Sequence, residues 1–247
     1  MSFQSNEIDQ NLYSSQFQAG DHVYSFRKAH FYSHHGIYVG ENRVIHFRGT
    51  QKPESSKSSD RTPTRCEVCQ YSRKEDRGVV KCCLDCFRKG HRLFRFEYGV
   101  SSSHFVLNRS GTCTTGSCRY SPEEVVRRAT EMLNSVEGFG EYVLLRNNCE
   151  TFAVYCKTNK PVSLQAYSLK HKAKIAFHAL TSQPSSVEDT AKTVFKLAVT
   201  HKHDMLRYDK EMHQQDQDDH SHPEEKDLDK IQEKILLNIV SKFHSLF

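Results

Sequence analysis

The chain has 247 residues, 36% hydrophobic and 26% charged, with a mean hydropathy of -0.70, which allows one ordinary domain plus segments too polar to pack. Its 35 Lys and Arg against 30 Asp and Glu leave a formal charge of +5, too mild and too evenly spread for a nucleic-acid partner. No apolar run approaches the about 18 residues of a membrane span, and MSFQSNEIDQNLYSS lacks the basic start and apolar centre of a signal peptide. The expectation is a cytoplasmic protein whose nine cysteines serve metal binding, catalysis or burial before disulfides.

In chain order, residues 1–16 read as a flexible N-terminus. Gln18-Ala19-Gly20-Asp21 turns into an alternating strand, His22-Val23-Tyr24-Ser25-Phe26. Two further apolar runs, HGIYVG and RVIHF, flank Gly40-Glu41-Asn42 and read as a β-hairpin, completing a three-stranded antiparallel meander. Alternation puts His34 on one face with Gly36 and Tyr38, and His35 on the other with Ile37 and Val39. His46 in the second strand can then stand beside a histidine of the first. A Ser-, Thr- and Pro-rich stretch follows and leads into Cys66-Glu67-Val68-Cys69, then Cys83-Leu84-Asp85-Cys86. Two CxxC pairs thirteen residues apart read as a Cys₄ zinc knuckle, with Cys82 able to compete with Cys83 as ligand; a redox dithiol or buried thiols without metal are the alternatives. This cysteine-rich insert spans residues 51–90.

Leu93 to Tyr98 alternates as a returning strand, and Ser101 to Ser110 reads as one more. Ser121-Pro122-Glu123-Glu124 has the N-cap, N1 proline and N3 glutamate of a helix start, ending near Gly138. Tyr142 to Leu145 reads as a strand. Asn147-Asn148 then opens a helix from about Cys149 to Thr158, which Lys160-Pro161 ends. A thiol at a helix N-terminus beside an imidazole is expected to fall from about 8.5 to roughly 3.5 to 7.5, which makes Cys149 a candidate nucleophile and a histidine its base. Residues 161–200 read as short helices, 201–227 as a disordered linker rich in His, Asp and Glu, and 228–247 as an amphipathic helix that docks on the domain, a membrane or a protein partner.

The set HHGIYVG, VIHF twelve residues after its first histidine, and NNCETF about a hundred residues on resembles the lecithin retinol acyltransferase domain, and GDHVYSFR, FEYGV and GTCTT resemble its plant-type members. The resemblance covers residues 17–160. It implies an α+β fold, a small antiparallel sheet with helices arranged like a permuted NlpC/papain-type peptidase. It also implies a catalytic trio of His34, His46 and Cys149, with His35 in place of the family's Trp and Thr151 in place of its His. The implied activity is thiol-dependent acyl transfer, or phospholipase A-type hydrolysis, on phospholipid acyl esters through a Cys149 thioester, at a phospholipid or membrane surface. Structural zinc on Cys66, Cys69, Cys83 and Cys86 is expected, and no organic cofactor. The competing reading is a catalytically silent domain that recruits a protein partner through the knuckle or the C-terminal helix.

Overall fold

A computed structural model describes residues 16–27, 32–49, 65–181 and 187–214. The N-terminal segment up to residue 15, the first part of the cysteine-rich insert and the amphipathic helix expected at 228–247 lie outside the described residues. Strands β1 (His22–Arg27), β2 (Tyr32–Tyr38) and β3 (Arg43–Arg48) form the expected meander. Two more strands extend it, β4 (Gly78–Cys83) against β3 and the short β5 (Phe94–Arg95) against β1. The five-stranded sheet is antiparallel at every pairing, in the order β4-β3-β2-β1-β5. Six helices among the described residues complete an α+β fold: α1 (Leu84–Arg88), α2 (Ser102–Leu107), α3 (Pro122–Asn134), α4 (Cys149–Thr158), α5 (Leu164–Thr181) and α6 (Val187–Gln214).

Alternation along the strands sends side chains into two separate layers. On one face Ile37, Ile45 and Phe47 pack against Val125 and Ala129 of α3 and Phe152, Ala153 and Cys156 of α4. On the other Val23, Tyr38, Val44 and Cys82 pack under Leu84 and Phe87 of α1. His34 belongs to this second face and His35 to the first.

Four sequence expectations change. The stretch Ser101 to Ser110 holds a helix, Ser102–Leu107, and not a strand, because Ser101 caps it, its side chain accepting from the His104 amide. Tyr142 to Leu145 is a turn closed by a bridge between Val143 and Asn147. The strand expected over Leu93 to Tyr98 pairs only at Phe94–Arg95, and Glu97 bridges Cys113 instead. The segment 201–214, expected as disordered linker, continues α6, the second of two long helices where short ones were expected over 161–200. The reason is a buried stripe at helical spacing, His201, Met205 and Asp209, hidden in a polar composition. Asp209 accepts hydrogen bonds from the Thr114 hydroxyl at 2.6 Å, the Thr115 amide at 2.7 Å and the Thr115 hydroxyl at 2.6 Å, while Tyr208 stacks on Tyr167.

Candidate active site and metal centre

The register of β3 with β2 and β4 builds the histidine pair. Gly36 lies opposite His46, and a Cβ there would stand 3.0 Å from the His46 Cβ and 2.6 Å from Val44; the missing side chain is what lets the His46 ring lie over β2. His34, two residues back on the same face, turns its Nε2 to within 3.0 Å of His46 Nδ1. Phe87 of α1 covers both rings, with centroids 5.2 Å from His34 and 5.4 Å from His46. Burial therefore holds both imidazoles neutral. His34 is lowered well below its ordinary value by burial and then by His46 and Arg27, and His46 falls to about 3 through burial and then Arg48.

Cys149 approaches from the opposite layer. Asn148 caps α4, its side chain accepting from the Glu150 and Thr151 amides, and the Thr151 hydroxyl closes the capping box. The ladder between β2 and β3 is confined to Ile37↔Ile45 and Tyr38↔Val44. Beyond it the outward main-chain groups of β2 face α4 instead. There the Cys149 thiol donates to the Ser33 carbonyl at 3.8 Å, and the His35 main chain and the Tyr142 side chain lie close enough to favour the thiolate. The sulfur thus lies against the two residues that flank His34 in β2. Among the described residues His34 is hydrogen-bonded to His46, and no hydrogen bond joins either ring to Cys149.

The expectation of a depressed thiol does not hold for this arrangement. Burial pushes Cys149 up to about 11, outweighing the lowering by its hydrogen bonds, because removing a thiolate from water costs more than one helix terminus returns. The resting pair is neutral thiol and neutral imidazole.

Sequence reasoning missed the groups that frame these residues. The His35 ring is fully buried, between His22 Nε2 at 2.9 Å and the Ser33 hydroxyl at 2.7 Å, and His22 Nδ1 lies 2.8 Å from the Tyr98 hydroxyl. Both nitrogens of His35 are occupied, so its place next to His34 does not make it a second base. Gln165 of α5 brackets Ser33, accepting from its amide and donating to its carbonyl, each at 3.2 Å. Nothing in their local sequence separates His22, Ser33, Tyr142 or Gln165 from ordinary strand, loop and helix residues.

Glu150 is buried completely. One of its carboxylate oxygens accepts from the Ser163 hydroxyl at 2.7 Å and the Gln165 amide at 2.9 Å, and Oε1 has no partner among the described residues. Burial raises it to about 7. A folded-state value above the unfolded about 4.3 means that its contribution is complete below about pH 4.3 and lost as pH rises toward 7. Glu150→Gln is therefore expected to be more stable than the parent by on the order of 3 kcal/mol at pH 8, with the gain vanishing near pH 4. Urea melts at the two pH values measure it; equal gains at both would contradict it.

The two CxxC pairs converge. Cys66 and Cys69 sit on a turn closed by the Gln70 amide donating to the Cys66 carbonyl at 2.8 Å; Cys83 ends β4 and Cys86 lies in α1. All four sulfurs lie within 4.8 Å of one another, with Cys66 to Cys83 at 4.0 Å and Cys69 to Cys86 at 3.8 Å. A tetrahedron with metal–sulfur bonds of about 2.3 Å has edges of about 3.8 Å, so the thiols fit a single metal ion. Cys82 is not among the four. Its side chain turns to the sheet, 3.3 Å from His46 Nε2.

The family model described as lecithin retinol acyltransferase matches residues 15–162. Protein LEAD-SENSITIVE 1 of Arabidopsis thaliana is 45% identical over 170 residues, covering 64% of this chain and 62% of that protein. The lecithin retinol acyltransferase of Rattus norvegicus is 30% identical over 161 residues (65% and 63%), and that of Bos taurus 28% over 186 residues (75% and 74%). The chain thus spans less than two thirds of the length of the first two of these relatives. Because the family match runs from before β1 to beyond α4 and takes in His34, His46 and Cys149 together, this chain belongs to the lecithin retinol acyltransferase family.

Proposed function

We propose that the chain is a thiol-dependent acyltransferase or phospholipase A-type hydrolase that works on phospholipid acyl esters. The observation that carries this is the position of the Cys149 sulfur, on the main chain of Ser33 and His35, the neighbours of a histidine already bonded to a second one. His34 takes the Cys149 proton as the sulfur attacks the ester carbonyl. The tetrahedral intermediate expels the lysophospholipid alkoxide, which recovers that proton from His34, and leaves a thioester. An amine, alcohol or water, deprotonated by His34, then attacks the thioester and regenerates the thiol. His46 orients His34. Because the thiol lies near 11 and the imidazole is neutral, proton transfer accompanies attack rather than preceding it. The Cys149 amide, left beside its own sulfur by a cap that engages the next two amides, donates to the oxyanion.

The same reading extends to the rest of the chain. Both histidines precede the cysteine, as in a permuted NlpC/papain-type peptidase. Structural zinc on Cys66, Cys69, Cys83 and Cys86 closes the knuckle, with no organic cofactor. The protein is read as cytoplasmic with peripheral contact to phospholipid; no helix among the described residues is long and apolar enough to cross a membrane. The tail at 228–247 is read as an amphipathic segment that docks on the domain, on a membrane or on a protein partner.

Intact-mass analysis after incubation with phospholipid vesicles should show an acyl adduct that hydroxylamine removes and Cys149→Ala lacks. No adduct with any of several phospholipids, on a protein whose Cys149 remains free, would leave the binding or scaffold reading, which the full burial of this sulfur favours.

A further inference from the structure

The histidine pair does not end at His46. Its Nε2 lies 3.3 Å from the sulfur of Cys82, a residue of β4 that no metal ligation uses and that is completely buried. The order is Cys82 Sγ, His46 Nε2, His46 Nδ1, His34 Nε2, with the second gap 3.0 Å. Cys82 pairs with Val44 across the β3–β4 ladder while His46 pairs with Val80, so the contact is a diagonal one on a single face, held by backbone register on both sides.

Two proton arrangements satisfy both contacts. In one the thiol donates to His46 Nε2, His46 Nδ1–H donates to His34 Nε2, and the His34 proton sits on Nδ1, leaving that ring no bare nitrogen. In the other His34 Nε2–H donates to His46 Nδ1, His46 Nε2–H donates to the Cys82 sulfur, and His34 Nδ1 is bare. A neutral imidazole carries one proton and its partner decides which nitrogen holds it.

We propose that Cys82 is a positioning residue, the terminal acceptor that holds His46 as the Nε2–H tautomer and thereby leaves His34 Nδ1 bare. The inference rests on His34 acting as the base. It makes β4, the strand that ends in the metal-ligand Cys83, part of the support of the histidine pair.

Proton–nitrogen correlation spectra of the imidazole rings test this without substrate. In the wild-type protein both His34 and His46 should carry the proton on Nε2. Cys82→Ala should shift both rings toward a tautomer mixture, and Cys82→Ser, which keeps an acceptor, should restore the wild-type pattern. Acylation of Cys149 should then slow about tenfold in Cys82→Ala, the worth of one hydrogen bond, with KM for lipid unchanged and with recovery in Cys82→Ser. A His34 proton on Nδ1 in the wild-type protein overturns the proposal even if no variant folds, and so do unchanged spectra in a folded Cys82→Ala that retains its metal. The expected tautomers together with no acyl adduct would sink the enzyme reading and leave the relay standing.

Discussion

His34→Gln is expected to slow acylation of Cys149 by about two to four orders of magnitude, the usual worth of a positioned general base. The size follows from the resting protonation of the site. With the thiol raised to about 11, only about one molecule in ten thousand is thiolate at pH 7, and an enzyme without a base would depend on that fraction. His34 is the titratable side chain whose strand neighbours touch the sulfur, and burial keeps it neutral and able to accept a proton. His46→Gln should cost less, about ten- to a hundredfold, because an amide can still occupy the 3.0 Å contact but cannot share the positive charge. Single-turnover mass spectrometry on variants of unchanged metal content and circular dichroism measures both. A His34→Gln variant that acylates at the parental rate would remove the base from the mechanism.

Removing the metal should have the largest effect on stability. The purified protein should carry one zinc ion, and strong chelation or Cys66→Ser should lower stability by several kcal/mol, since the binding free energy of a thiolate zinc site is folding free energy. The turn that carries Cys66 and Cys69 is held less firmly than β4 and α1, which pair with β3 and pack into the core. Tyr71 and Cys69 are only partly buried against the core, and the turn at Glu67 and Val68 is exposed. The damage should spread along a defined route, from Cys83 at the end of β4 to Cys82, His46 and Phe87. Hydrogen exchange should therefore accelerate first in β4 and α1 and only afterwards in α3 and α4, which pack on the other face of the sheet. A metal-free protein with the same melting temperature and the same exchange map would rule out the structural role.

Local chemistry was enough for several elements. Alternation marked β1, β2 and β3 and assigned His34 and His35 to opposite faces, because a strand's period of two leaves no freedom in that assignment. Ser121 with Pro122, and the Asn-rich turn before Cys149, mark the starts of α3 and α4 to within about a residue, because a cap is a contact within one turn. CxxC spacing identified four ligand candidates for the same reason. Strand β4 carries no clear alternation in its Gly78-Val79-Val80-Lys81-Cys82-Cys83 run, and the buried stripe of α6 is made of His, Met and Asp, so neither stands out in the local pattern.

What the sequence determined by itself is therefore the set of reactive groups and the short elements that carry them, all fixed by interactions within a few residues of the chain. The tertiary structure decided their state. It opened the ladder beyond Ile37 so that α4 could set the Cys149 sulfur on Ser33 and His35. It buried that thiol until it is protonated at neutral pH, and it brought Cys82 to His46 across thirty-six positions. Desolvation and long-range register depend on which distant segments cover a group, and no local pattern encodes that.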